Sequence, residues 1–195
     1  MLMSSHYLIS NSILENIDKN KAFLVNEKNF IYGNIKPDVS SKYLFMKHYH
    51  AESFDMIIKK IKYLCKLSID SLSKKFSLSK FNQELGVICH FLCDFFCVPH
   101  SQRWEFKHSM KKHMTYEKEL TLVAKETNLS RFKGDIITHS SVEDFFFDLY
   151  NQYVNELDHK NDLLFSSVVC NSVVNYILEN IIKNSLESNK LLICI

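Results

Sequence analysis

Residues 85–100 read LGVICHFLCDFFCVPH, an almost wholly apolar run interrupted by His90 and Asp94 and closed by Pro99 and His100. Leu85, Ile88, Cys89, Leu92, Phe95 and Phe96 recur at spacings of three and four, the period of an α-helix with one face turned to a core. Pro99 disfavours helical geometry in the residue before it, so this helix is predicted to stop near Val98, with a break at His100. His90 and Asp94 stand four apart and project from one face about one turn apart, close enough to share a metal ion or neighbouring ions. A charged carboxylate inside so apolar a run costs several kcal/mol unless it is paired or bound to a metal.

Downstream the chain continues SQRWEFKHSMKKHMTYEKEL, and His113 and Glu117 repeat the i, i+4 geometry. His100 lies just past the Pro99 break and can turn toward the partner helix. The 12 residues between His100 and His113 allow a return to the same end of the fold. A lone His–carboxylate pair at this spacing on a surface helix is usually an ion pair worth a few tenths of a kcal/mol. Here one pair is embedded in a core helix and a second follows it. Imidazole with carboxylate oxygen suits Zn²⁺, and three protein ligands with an open position is the catalytic pattern rather than the structural one.

The rest of the composition agrees with a helical protein. Of 195 residues only 3 are Gly and 2 are Pro, too little turn chemistry for a many-stranded β protein. Hydrophobic residues make up 46% and aromatics 13%, which excludes disorder, and 24 basic against 22 acidic residues give no electrostatic footprint for a nucleic-acid binder. Helices are predicted over 4–18, 53–66, 85–98, 103–127, 140–158 and 162–186. Phe54, Ile57, Ile58, Ile61, Leu64 and Cys65 form the stripe of the second. Gly33-Asn34 and Lys36-Pro37-Asp38 are read as a first loop and Gly134-Asp135 as another. With no internal repeat or linker, residues 1–195 are expected to form a single multi-helix domain.

No apolar run approaches the ~20 residues of a membrane span, and the opening lacks the n- and h-regions of a signal peptide, so a cytoplasmic location is expected. The six Cys are then expected as thiols, with Cys89, Cys93 and Cys97 as packing residues on one stripe and Cys93 near enough to Asp94 for a soft metal to recruit. His108 and His139 are read as surface residues and His159 as a turn residue. Trp104 is read as a core aromatic.

These residues resemble the zinc-dependent phospholipase C family, whose all-α fold and trinuclear zinc site are shared with the P1/S1 type nucleases. In that family an HxxxD pair is followed after five residues by a His and about a dozen residues on by an HxxxE pair; this chain has His90, Asp94, His100, His113 and Glu117 in that order. SSHYLISNSILENI resembles the family's first helix and makes His6 a ligand, and Gly33-Asn34-Ile35-Lys36-Pro37-Asp38 resembles its Pro-Asp loop. KHYHAESFD offers His48 or His50 as the remaining ligand, with His48 preferred from the position of the following SFD.

The resemblance implies two or three Zn²⁺ ions: one on His48, His90 and Asp94, a second on His100, His113 and Glu117, and a third on His6 with Asp94 as a bridge. It implies Asp38 as general base and phosphodiester cleavage by a zinc-activated water. The N-terminal amine that completes the third site in secreted members, usually on a Trp, has no obvious counterpart five residues before His6, so that site is expected to be incomplete. Val39 follows Asp38 where the choline-lipid enzyme has an aromatic, so headgroup preference is not carried over. The expected partner is a phospholipid or other phosphodiester, with transient membrane-surface contact through the helical domain and no stable nucleic-acid partner. A P1/S1-like nuclease and a non-catalytic zinc-binding helical protein are the alternatives.

Overall fold

Apolar residues recur at helical spacing through most of the chain, and the backbone follows them. The computed structural model describes residues 1–43, 46–74, 76–104, 110–138 and 141–193. Among these the α-helices are α1 (Met3–Asn16), α2 (Glu27–Val39), α3 (His50–Leu64), α4 (Ile69–Lys74), α5 (Leu78–Phe95), α6 (Val98–Ser101), α7 (Met110–Glu126), α8 (Val142–Tyr153) and α9 (His159–Ile193), and no strand occurs among the described residues. Asn26, Ser77 and Ser141 cap α2, α5 and α8 by accepting from the amides of Asn29, Lys80 and Asp144.

Helix α5 is the axis of the fold. From Leu85 through His100 every residue is buried, because α2, α3 and α9 pack around it. The α2–α5 crossing brings backbone onto backbone: a Cβ on Gly33 would stand 2.3 Å from the Gln83 carbonyl oxygen, and one on Gly86 would stand 2.2 Å from that of Phe30. Only Gly permits this approach. On the other side α9 lays Val169, Cys170, Val173, Val174, Ile177, Leu178 and Ile181 into the core, each at most 1% exposed. Burying a Val, Leu or Ile contributes about 1.5–3 kcal/mol, so this face holds the long helix in place. The thiols of Cys93 and Cys170 meet at 3.6 Å within that seam, and the five described cysteines are free. Cys194 lies outside the described residues, as do His108 and His139.

The structure differs from the sequence reading in several places. Gly33-Asn34 and Lys36-Pro37-Asp38 lie inside α2, not in a loop. Gly33 is there for the helix crossing, and Pro37 falls in the last turn, where the chain leaves the helix at Ser40. Helix α5 ends at Phe95, and the break falls at Phe96–Cys97, with Cys97 extended (φ −123°, ψ 123°). Pro99 sits in the first turn of α6, where its missing N–H is harmless. The helix expected from 103 is described only from Met110, and Arg103 adopts left-handed backbone (φ 54°). His159 opens α9 rather than lying in a turn. Residues 159–188 of α9 are long and apolar enough to cross a membrane by length and composition, though no such segment was expected; 61% of an 18-residue apolar window within them is buried here, which is how a core helix meets the same test.

Candidate metal centre

Two of the donors come from one turn of α5. The imidazole of His90 is aimed by α2: its Nδ1 donates to the Asn34 carbonyl at 2.7 Å, an arrangement made possible by the Gly33–Gly86 crossing. Its Nε2 therefore faces Asp94, 3.3 Å from Oδ2. His48, on the approach to α3, brings Nδ1 to 2.7 Å from the same oxygen and 3.2 Å from His90 Nε2. These three ligand atoms converge tightly enough to hold one ion. His50 points elsewhere, stacking on Phe146 and Tyr150 with ring centroids 5.1 Å away in both cases.

The other oxygen of Asp94 serves a second group. His6, in the first turn of α1, stacks on His90 at 4.0 Å and lies 3.4 Å from Oδ1, and His100 Nε2 lies 3.7 Å from it. Ser5 Oγ meets Thr121 Oγ1 at 2.8 Å, which seats the start of α1 against α7. On α7, Glu117 Oε1 is 2.9 Å from His113 Nε2 and 3.1 Å from His100 Nε2. The α-amino nitrogen of Met1 is ion-paired with Asp94 and stands 3.1 Å from both Glu117 Oε1 and His100 Nε2. Asp38, partly exposed at the end of α2, places Oδ1 3.6 Å from His90 Nε2 and also lies within ligand reach of His6.

The charges are strongly coupled. Burial alone would raise the Asp94 carboxyl, but the Met1 amine and the imidazoles of His100, His90 and His6 outweigh it and hold the group well below the usual carboxylate range. Glu117 is depressed in the same way, by the amine and by hydrogen bonds from His100 and His113. His6 is pushed down to about 3 by burial and by the neighbouring His90. Asp38 is raised, chiefly by burial with a contribution from Asp94.

Burial without partners provides a test of whether a metal fits. Both ring nitrogens of His6 and Nδ1 of His100 are buried with no hydrogen-bond partner. Imidazole nitrogens and carboxylate oxygens converging in this way are a zinc donor set. The centre opens into a cleft of about 400 Å³ lined by Asp38, His48, Asp94, His113 and Glu117, with Met1, Met3, Met110 and Met114 at its sides.

Three residues beside the centre escaped the sequence reading. Asn34 works through its backbone carbonyl, which leaves no side-chain signal. Cys97 was assigned to the core stripe because α5 was extended to Val98; the Pro two residues later was the available hint. Asp162, fully buried at the start of α9, accepts from the Tyr153 hydroxyl at 2.7 Å, the Tyr116 hydroxyl at 3.0 Å and the Val98 amide at 3.0 Å. It ties the α5–α6 break to the residue before Glu117.

The fold and its buried donors define an all-α protein built around a polar metal-binding core. A family model described as zinc dependent phospholipase C matches residues 5–160, and the chain belongs to that family. Neither a search of curated proteins nor one of solved structures gives a match. The family is zinc-dependent, and membership supports a hydrolase of the phospholipase C type with phospholipid as the broad substrate class.

Proposed function

We propose that the protein cleaves a phosphodiester of a phospholipid within a single helical domain spanning 1–195, using two or three zinc ions. His48, His90 and Asp94 would hold one, His100, His113 and Glu117 a second, and His6 with Asp94 a third. The observation that carries this reading is the convergence of donors from α1, the α3 approach, α5, α6 and α7 on Asp94 and Glu117, beside a cleft with Asp38 at its edge. When bound, zinc supplies positive charge against the phosphate oxygens and acidifies water.

The chain's own groups do the remaining work. Asp94 and Glu117 stay ionised and so keep their cation partners in register. Asn34 fixes the His90 tautomer, which leaves Nε2 free for ligation. Asp38 accepts the proton of the attacking water: it is the carboxylate with solvent access, and its raised pKa makes it a better base than a fully depressed one. Met3, Met110 and Met114, 48%, 59% and 39% exposed, give the cleft an apolar rim against which acyl chains or a bilayer surface can rest.

Metal analysis of the purified protein beside a panel of lipid, nucleotide and chromogenic phosphodiesters tests the proposal. Lipid turnover that is lost on chelation and restored by Zn²⁺ is expected. Turnover of nucleotides alone would move the chain to nuclease chemistry, and bound zinc without turnover would make it a non-catalytic zinc protein. Asp38→Asn should lower kcat by about 10²–10⁴-fold while zinc content stays the same. Loss of a zinc equivalent would make Asp38 a ligand instead.

A further inference from the structure

One buried nucleophile at this centre has no part in the reading above. The Cys97 sulfur, a nitrogen of His100 and a carboxylate oxygen of Glu117 all lie within 4.8 Å of one another, and all three residues are buried. Cys89 and Cys93 of the same sequence stripe point the other way: Cys93 Sγ meets Cys170, and the Cys170 thiol meets the Cys89 carbonyl at 3.5 Å. The difference comes from the backbone. Helix α5 has ended, and the extended conformation of Cys97 puts its side chain off the helical stripe. The position is also held firmly, because Asp162 accepts from the amide of Val98, the next residue. The ring nitrogen of His100 that faces Glu117 is Nε2, 3.1 Å from Oε1, and the Cys97 thiol also lies against the Asp162 carboxyl.

We propose that Cys97 is a metal donor, joining His100 and Glu117 in a donor set that contains sulfur, beside His113 on the same Glu117 oxygen. Its sulfur sets this ion apart from the one on His48, His90 and Asp94, three nitrogen and oxygen donors that leave a position open. The two ions would therefore differ in ligand softness, and the sulfur-bound one would link the α5–α6 break to α7. The sulfur also makes this position thiophilic, so that Cd²⁺ competes well with Zn²⁺ there. Binding breaks the Cys97 S–H bond, forms a metal–sulfur bond with the sulfur pair and releases the proton to the buffer; nothing is oxidised or reduced.

This inference rests on the zinc reading of the centre, and its test separates the two. The full chain is stripped with chelator and reloaded with Co²⁺ or Cd²⁺, and metal stoichiometry is measured beside the near-ultraviolet spectrum. The wild type should show sulfur-to-metal charge-transfer absorption. Cys97→Ser should lack it, keep metal at the open site, and bind Cd²⁺ about 10–100-fold more weakly, the scale on which loss of a metal-site group lowers affinity. A metal-loaded wild type with no charge-transfer band overturns the role of Cys97 whether or not the variant folds, and leaves the hydrolase reading standing. A band that persists in Cys97→Ser also overturns it. A chain that takes up no divalent metal removes both readings.

Discussion

Asp94 and Asp162 are both almost completely buried, lie on either side of the α5–α6 break, and behave in opposite ways. Around Asp94 stand an amine and four imidazoles, and the carboxyl is held well below the usual range. Around Asp162 stand two tyrosine hydroxyls, a backbone amide and the Cys97 thiol; these neutral donors only partly offset burial, and the carboxyl is pushed up to about 7. Burial depth is the same in both cases. The charge of the neighbours decides the ionisation, because a neutral donor stabilises an anion far less than a cation does in a low-dielectric interior. One carboxylate is therefore suited to hold cations, and the other to fasten a corner.

The largest effect should follow from breaking the first member of the pair. Asp94→Asn leaves the amine and the imidazoles without their anion, and should cost about 3–5 kcal/mol as well as bound zinc. Thermal melts with metal analysis check this; full zinc content and an unchanged melt would show that Asp94 is not the hub. Next in size is the metal itself. Saturating zinc at 100 times its Kd should contribute about 2.7 kcal/mol, so excess EDTA at neutral pH should lower the Tm, and an unchanged melt would argue for a metal-free core.

Asp162→Asn sharpens the contrast through pH. The folded-state pKa is raised, so the folded protein gains a proton relative to the unfolded chain. The associated stability is present below the ordinary carboxylate pKa and is lost as pH rises through about 7. Urea melts in EDTA should therefore show the wild type gaining about 2–3 kcal/mol on the variant between pH 8 and pH 5. A difference that is flat across this range would mean that Asp162 is ionised throughout. The smallest effect belongs to His50, half-buried among Phe54, Phe95, Phe146 and Tyr150 and lowered chiefly by burial. Its neutral form is the one that fits, so stability should fall as the pH drops below about 6.5. His50→Phe should remove that loss, and an unaltered acid limb in the variant would place the titration on other groups.

Much of the architecture was legible because a helical period needs only local sequence. The stripe from Phe54 to Leu64 and that from Leu85 to Phe95 appear in α3 and α5, each helix stopping one residue short of its predicted stripe, and the polar interruptions at His90 and Asp94 stood out against apolar neighbours. Helix α2 was not legible. Gly33, Asn34 and Pro37 are turn residues by local preference, and only the tight crossing with α5 makes Gly33 an asset in a helix interior. Helix α4, six residues long, has too short a pattern to register. His48 and His50 are equivalent by composition, and what separates them is the aromatic cluster that receives one ring and the carboxylate that meets the other.

From sequence alone came the all-α class, the family resemblance and the order of the donor residues, since spacing along a chain dictates which side chains share a helix face. Which donors meet, and in what protonation state, was decided by tertiary structure. The α2 carbonyl that orients His90, the extended link that turns Cys97 toward His100 and Glu117, and the burial that raises Asp162 while a neighbouring amine holds Asp94 down are all products of packing. Ionisation and ligation depend on the field and geometry of every neighbour within a few ångströms, and those neighbours are chosen by packing.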